Sequence, residues 1–293
     1  MIRIMWFKIA CSAYNILVVI SEKCGMRNLP ISKKLAKILR RMLRCLAPSE
    51  VMIKVHGYTM IVPRDFALYG VRPYEAKTTE LLLQLLRPGM TFVDVGAHVG
   101  YYSLLASIKV GSEGKIYSFE PEPYNYNLLV KNIMLNDCKN IFAIQKAVAD
   151  FTGKANFVIA PYSVSHSLYP DKTIPNIAII QVEVVSLDDF FSQLGWPKVD
   201  IIKMDIEGAE VKALCGMKEL CKRYSDLILI TEFKPRRLQA AGSSKEEFFE
   251  VLSNLGFNRI YDIETGDEII LKDKKILSQF PLKSTNLICW RSV

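Results

Sequence analysis

The sequence is poor in the residues and spacings that hold metals or disulfides. Its 293 residues include only three histidines, far apart at His56, His98 and His166. The seven cysteines are scattered, with no C-x-x-C pair and no zinc-type spacing. A disulfide framework and a histidine–cysteine metal site are therefore not expected, and no metal ligand is assigned. Scattered thiols predict a reduced, cytoplasmic protein.

A long uninterrupted apolar run is also missing. The most apolar stretch, residues 4–20, contains Lys8 and Asn15. It is too short for a confident membrane span, which needs about 20 apolar residues. It carries no A-x-A-like cleavage site, so secretion is not expected. A buried or interfacial helix is favoured here; a membrane anchor and an extension with no membrane role are the alternatives.

Much of the formal net charge of +8 is concentrated in one segment, Pro30–Ala47. Ser32 can cap a helix there that has one apolar stripe and otherwise basic faces. The pattern suits an anionic membrane surface or, equally, a packed helix with a solvated basic face. Residues 1–48 are thus predicted to be a helical extension with peripheral membrane contact at the cytoplasmic face.

The dinucleotide fingerprint G-x-G-x-x-G is absent from the most informative stretch, Thr91–Glu120. The pattern of this stretch instead predicts a strand, a G-x-x-x-G turn, a helix and a second strand. Together these form one βαβ unit of a parallel sheet. Gly96 and Gly100 bracket the turn, where glycine permits positive φ and close approach of a ligand. Asp94 lies near the end of the first strand. Glu120, at the end of the second, can accept hydrogen bonds from both ribose hydroxyls; the alternative is a tight corner with a solvated Glu120.

The α/β rhythm continues on both sides of this unit. A hairpin is predicted over Val51–Val62, with its turn at His56 and Gly57, and a loop over Ala67–Glu75. Strands are predicted over Lys115–Phe119, Ile141–Val148, Asp200–Met204 and Leu227–Thr231, and a helix over Ser244–Leu255 with Ser243 or Ser244 as its cap. Asn156–Val185 breaks the rhythm and is predicted to be an insertion over the carboxyl ends of the strands. The fold class is therefore α/β, with a doubly wound, mostly parallel, Rossmann-like sheet after a helical extension and a β-hairpin.

Four motifs carry a more specific signal. They are VDVGAHVGYYS at Val93–Ser103, FEPEPY at Phe119–Tyr124, SLDDF at Ser186–Phe190 and IKMDIEGAE at Ile202–Glu210. In order and spacing they resemble the FkbM family of S-adenosylmethionine-dependent methyltransferases. One departure is His98, where the family more often has asparagine. The resemblance implies a seven-stranded methyltransferase domain over residues 49–293 and O-methylation of a hydroxyl on a small molecule or glycan.

The strand ends agree with this cofactor. Asp94, Glu120, Asp205 and Glu232 are expected to line one crevice. An acidic crevice suits S-adenosylmethionine, which has a sulfonium, an ammonium and a ribose diol but no phosphate. Glu120 would hold the ribose, the glycine turn would cover the methionine part, and Asp150 would contact adenine or belong to its own turn. The predicted cofactor-binding residues are Asp94, Gly96, Ala97, His98, Gly100, Glu120, Asp150 and Asp205.

A hydroxyl acceptor must lose a proton during methyl transfer, so a base within hydrogen-bond reach is expected. Asp205 is the best placed by sequence, and the predicted catalytic residues are Asp205, Glu207 and Glu232. Two alternatives remain open. The same acids could bind a divalent cation, or Glu207 and Glu210 could simply charge the first turn of the following helix.

Three other functions compete with this interpretation. An NAD(P)-dependent oxidoreductase can use the same sheet. A nucleic-acid methyltransferase is disfavoured, because no N-P-P-Y-like motif follows the fourth strand and no basic–aromatic patch occurs outside the N-terminus. A non-catalytic, membrane-associated scaffold would keep the fold without its acids, whereas Asp94, Glu120 and Asp205 are all present.

Overall fold

The computed structural model describes residues 48–69, 74–171, 173–270 and 284–291. The predicted helices at 4–20 and 30–47 lie outside the described residues. The chain divides into two compact units, residues 1–75 and residues 76–293. Among the described helices, none has both the length and the apolar character that crossing a bilayer requires.

The first unit contains the predicted hairpin. Strands β1 (Glu50–Val55) and β2 (Tyr58–Pro63) pair antiparallel. His56 (φ 48°) and Gly57 (φ 90°) form the two-residue turn between them, with the positive φ values such turns require. Helix α1 (Arg64–Tyr69) follows directly. The loop predicted over Ala67–Glu75 is therefore wrong at its start, where residues 67–69 belong to this helix.

An eight-stranded sheet forms the centre of the second unit. Its strands are β3 (Thr91–Val95), β4 (Lys115–Phe119), β5 (Ile141–Ile144), β9 (Ile201–Met204), β10 (Ile228–Phe233), β11 (Phe257–Asp262), β12 (Glu268–Ile269) and β13 (Thr285–Arg291). Their order across the sheet is β12-β11-β13-β10-β9-β3-β4-β5. The strands from β10 to β5 run parallel, and β13 runs antiparallel between β10 and β11. This is the predicted doubly wound sheet, with the two-residue β12 as an eighth strand at one edge.

Helices cover both faces of this sheet. They are α2 (Ala76–Leu85), α3 (Tyr101–Val110), α4 (Pro123–Leu135), α5 (Leu187–Gln193), α6 (Glu210–Cys215), α7 (Lys218–Arg223), α8 (Pro235–Ala240) and α9 (Lys245–Asn254). On one face, Val93, Val95, Ile202 and Met204 belong to the large apolar core, together with side chains of α5, α6, α7 and α9. Helix α3 packs on the opposite face, over β3 and β4, and contacts α2.

The predicted insertion forms a separate three-stranded sheet in the order β6-β8-β7. Its strands are β6 (Ala147–Val148), β7 (Gly153–Ile159) and β8 (Ala178–Val185). The connection between β7 and β8 contacts the main sheet's helices and loops: the Asn125 amide donates to the Ser163 carbonyl over 3.3 Å, and the Ser167 hydroxyl donates to the Glu207 carbonyl over 2.9 Å. The insertion thus lies across the carboxyl ends of the parallel strands, as its position in the chain predicted.

Candidate active site

Side-chain alternation turns one face of the sheet polar at its carboxyl end. Ser118, Asp94 and Lys203 occupy one row across β4, β3 and β9. Glu120 and Asp205 follow two residues further along β4 and β9, so they share that face. All but Asp205 of these five residues are buried. The register of three parallel strands therefore assembles charged groups that lie far apart in sequence.

The glycine turn is shaped by packing within the protein. Gly96 has φ 84°, and a Cβ there would lie 2.0 Å from the Asp205 carbonyl oxygen. Gly100 has φ 90°, and its Cβ would lie 2.6 Å from the Leu129 Cδ1. The amides of Gly96 and Ala97 both donate to the Phe119 carbonyl, over 3.0 and 2.9 Å. These glycines are thus required by the close approach of β9 and α4, independently of any ligand.

Glu120 is a buried carboxylate held by two backbone amides. The His98 amide donates to its Oε2 and the Glu122 amide to its Oε1, each over 2.9 Å. Burial raises the pKa of Glu120 to about 8, although both amide bonds act in the opposite direction. The remaining lone pairs can accept two further hydrogen bonds, which is the donor–acceptor pattern a ribose diol satisfies.

Asp94 faces helix α3. The Ser103 hydroxyl donates to its Oδ2 over 2.5 Å, and Ser103 lies 2.8 Å from the Ser118 hydroxyl. Burial raises the pKa of Asp94, while neighbouring Lys203 acts to lower it. Of the two predicted roles, this geometry matches ordering of the turn, since Asp94 fixes the first turn of the helix that follows it.

Asp205, Glu207 and Glu232 come together at the ends of β9 and β10. Their nearest carboxylate oxygens all lie within 4.8 Å of one another. The Lys234 ammonium lies 2.6 Å from Glu232 Oε2 and 2.8 Å from Glu207 Oε1. A cation of the chain itself therefore occupies the position between two of these acids.

Two more cations complete this cluster. The Lys203 ammonium lies 3.3 Å from Asp205 Oδ2 and 4.5 Å above the Tyr102 ring, and the Arg237 guanidinium lies 2.9 Å from Glu207 Oε2. The crevice is therefore less acidic than the sequence predicted. Its cations were missed because their proximity arises from strand register and from the turn into α8.

Asp205 and Glu232, whose nearest carboxylate oxygens lie within 4.8 Å of each other, have opposite protonation tendencies. Burial alone would raise the pKa of Asp205, but Lys203 and Lys234 lower it below its ordinary value. Burial and the adjacent Asp205 raise the pKa of Glu232 well above its ordinary value. A proton shared by the pair therefore belongs to Glu232.

Glu210 is the first residue of α6 and charges its first turn, as one of the predicted alternatives had it, and it also bonds to the preceding turn. Its carboxylate accepts the Ile206 amide over 3.1 Å and the Gly208 amide over 2.9 Å. These bonds close the turn in which Glu207 (φ 55°) and Gly208 (φ 107°) take left-handed conformations. Glu210 is buried and fixes the turn that carries Glu207.

Asp150 lies beside a lysine of helix α6. Its Oδ2 lies 3.8 Å from the Lys212 ammonium on α6. In the part of the chain that the structure describes, no hydrogen bond or ion pair joins Asp150 to Glu120 or Asp94. His98 lies in the glycine turn with φ 51°, and its backbone amide rather than its ring contacts Glu120.

Fold and site together define a class. A doubly wound sheet with a buried, amide-held carboxylate at the end of its second parallel strand is the arrangement of enzymes that bind nucleoside cofactors. The methyltransferase FkbM domain model matches residues 94–259, more than half of the chain, and the chain belongs to this family. Its cofactor is S-adenosylmethionine.

Curated relatives of the chain are methyltransferases. Methyltransferase sdnD of Sordaria araneosa is 28% identical over 156 residues, 43% of this chain and 60% of that protein. Hexuronic acid methyltransferase AglP of Haloferax volcanii is 22% identical over 187 residues, 62% of this chain and 74% of that protein. The 2-O-methyltransferase NoeI of Sinorhizobium fredii is 21% identical over 229 residues, 73% of this chain and 92% of that protein.

Solved structures with a similar fold include methyltransferase FkbM from Methylobacillus flagellatus, with a TM-score of 0.42 and 16% identity over 76% of this chain and 55% of that one. A SAM-dependent methyltransferase from Aquifex aeolicus has a TM-score of 0.42 and 18% identity, over 74% of this chain and 93% of that one.

Proposed function

We propose that this protein is an S-adenosylmethionine-dependent O-methyltransferase whose acceptor is a hydroxyl of a sugar, free or within a glycan. The observation that carries the proposal is the close pair of carboxylates Asp205 and Glu232, on the same sheet face as Glu120. One relative is named as a hexuronic acid methyltransferase, which supports a sugar acceptor, and another as a 2-O-methyltransferase, which supports transfer to oxygen.

On this proposal the cofactor end of the crevice is built by the first two parallel strands. Glu120 accepts the ribose hydroxyls while the amides of His98 and Glu122 keep its carboxylate in place. Asp94, through Ser103, holds α3 and therefore the shape of the preceding glycine turn. S-adenosylmethionine supplies the electrophilic methyl group when bound.

The acceptor end is built by β9 and β10. Asp205 accepts the proton that the acceptor hydroxyl loses. It is more exposed than Glu232, and Asp94 and Glu120, the other described carboxylates on that sheet face, are buried. Lys203, 3.3 Å away, and the nearby Lys234 lower the pKa of Asp205 and so keep it ionised before the proton arrives. Holding the acceptor oxygen in line with the methyl group supplies much of the rate enhancement in such a displacement.

Two further features of the proposal concern the protein's surroundings. Residues 1–48 are proposed to contact an anionic membrane surface from the cytoplasmic side, which would bring the domain to a lipid-linked or membrane-proximal glycan. This part rests on the basic, amphipathic segment at 30–47 alone.

A comparison of variants tests the catalytic assignment. We expect Asp205→Asn to lower the single-turnover rate of methyl transfer by about 100-fold or more, while calorimetry shows cofactor affinity within threefold of wild type. Asp226→Asn, in an exposed pair with Lys198 2.7 Å away, is the matched control and should leave the rate unchanged. A wild-type rate in Asp205→Asn would refute the assignment of the base.

A further inference from the structure

Asn286, near the start of β13, is a buried residue whose side-chain amide makes one hydrogen bond to the described residues. The residue is 7% exposed. Its Nδ2 lies 3.1 Å from the Thr78 Oγ1 on α2, and its backbone carbonyl accepts the Ile263 amide over 2.9 Å. Among the described residues, no group hydrogen-bonds to its Oδ1. Buried amide groups without a partner are rare, and each calls for a specific explanation.

The position of Asn286 connects it to the acid cluster. Asn286 and Glu232 are directly opposite each other in the antiparallel β10–β13 pair. Side chains of opposed residues project from the same sheet face, with Cβ atoms about 5 Å apart. Because β13 runs antiparallel, its first residues lie at the edge where the parallel strands end, which is the ligand-binding edge of this fold.

We propose that the side-chain amide of Asn286 binds a second hydroxyl of the acceptor, next to the hydroxyl that faces Asp205 and Glu232. The acceptor class is then a vicinal diol, as on a sugar ring, rather than an isolated alcohol or phenol. This inference rests on the proposed function and deepens it, since it assigns a specificity-determining residue to the same site.

The chemistry of the amide selects a hydroxyl as its ligand. Thr78 can both donate and accept, so its contact allows either orientation of the Asn286 amide. In one orientation the amide carbonyl oxygen still lacks a donor, and in the other the NH₂ group still lacks an acceptor. A hydroxyl is both donor and acceptor and satisfies each of them. An ammonium or a carboxylate would satisfy only one.

A substrate-by-variant cycle tests the proposal. The acceptors are methyl glycosides, including methyl glucuronoside, and analogues that each lack one ring hydroxyl adjacent to the methylated position. The variant is Asn286→Leu, which keeps the side chain's approximate size and removes its polarity. Asn140→Leu is the matched control, because Asn140 is bonded through both ends of its amide to Ser107 and Gly111 and belongs to the opposite edge of the sheet.

We expect the variant to change the response to only one of the hydroxyls next to the methylated position. Wild type should prefer the diol over one deoxy analogue by about tenfold in kcat/KM, mostly through KM, the size expected for one hydrogen bond. Asn286→Leu should remove that preference, act on the deoxy analogue at the wild-type rate and bind S-adenosylhomocysteine as wild type does. Asn140→Leu should keep the preference.

Two other results would overturn the proposal in distinguishable ways. If Asn286→Leu slows the diol and every deoxy analogue by the same factor, Asn286 acts through Glu232 or through packing, and the proposed function stands. If wild type binds S-adenosylhomocysteine but methylates no glycoside of the panel, the sugar acceptor itself is wrong and the diol site falls with it.

Discussion

On the proposed function, Glu120 should make the affinity for cofactor depend on pH, in a direction set by its surroundings. Burial raises the pKa of this carboxyl to about 8 in the protein without cofactor. Ribose hydroxyls donate hydrogen bonds, so they favour the ionised carboxylate. Binding at lower pH therefore requires loss of a proton, and we expect affinity for S-adenosylhomocysteine to rise with pH up to about 8.

The size of the effect follows from that pKa. Below pH 8, each further unit of pH should weaken the binding free energy by about 1.4 kcal/mol, which is a factor of about ten in affinity. Above about pH 9 the affinity should be constant. The stability of the free protein should change in the opposite sense. The pKa of Glu120 in the folded protein lies above its ordinary value of 4.5. The contribution of Glu120 to the free energy of unfolding is therefore fully present below pH 4.5 and is lost as pH rises through about 8.

Calorimetry between pH 6 and 9, in buffers with different ionisation enthalpies, measures both affinity and proton release. Wild type should release close to one proton on binding at pH 6.5. Glu120→Gln cannot titrate, and its amide can accept only one of the two backbone bonds from His98 and Glu122. It should bind more weakly and without the pH dependence. A wild-type affinity that is flat from pH 6 to 8 would refute the reasoning.

Two stability predictions use the close contacts of the site. Lys234→Met removes the cation that Glu207 and Glu232 share and leaves Glu232 without an ion-pair partner among the described residues, so urea denaturation should show a loss of about 3–5 kcal/mol. Lys198→Met, in an exposed pair, should cost at most about 1 kcal/mol; equal losses would contradict the role of Lys234. Gly96→Ala forces a methyl group against the Asp205 carbonyl and should cost about 3 kcal/mol or more. Gly89→Ala, with φ 81° and no atom within 4 Å of the added Cβ, should cost about 1 kcal/mol, and an equal cost at both would refute the packing argument.

Local signals predicted the elements that depend on neighbours in sequence. The strand Lys115–Phe119 has the bounds expected of it, and the turn at His56 and Gly57 is where the hairpin pattern placed it. Ser244 caps α9 through a capping box with Glu247. These features follow from strand propensity, turn chemistry and caps, each of which acts over a few residues.

Three features that depend on pairing between distant segments were not predicted. The strand expected over Ile141–Val148 is divided, because Ala147 and Val148 pair with β8 in the smaller sheet rather than with β4. Lys203 has the pattern of an ordinary strand residue, and only the register places it beside Asp94. Asn286 lies opposite Glu232 only because β13 inserts between β10 and β11.

The methyl group itself gives the most direct test of the account. Wild-type protein would be incubated with S-adenosylmethionine carrying a trideuterated methyl group and with the glycoside panel, and the products would be located by mass spectrometry and NMR. We predict one labelled methyl group on a ring hydroxyl oxygen of a glycoside, absent in Asp205→Asn. Label on nitrogen or carbon, or no transfer by a protein that binds the cofactor, would contradict the account.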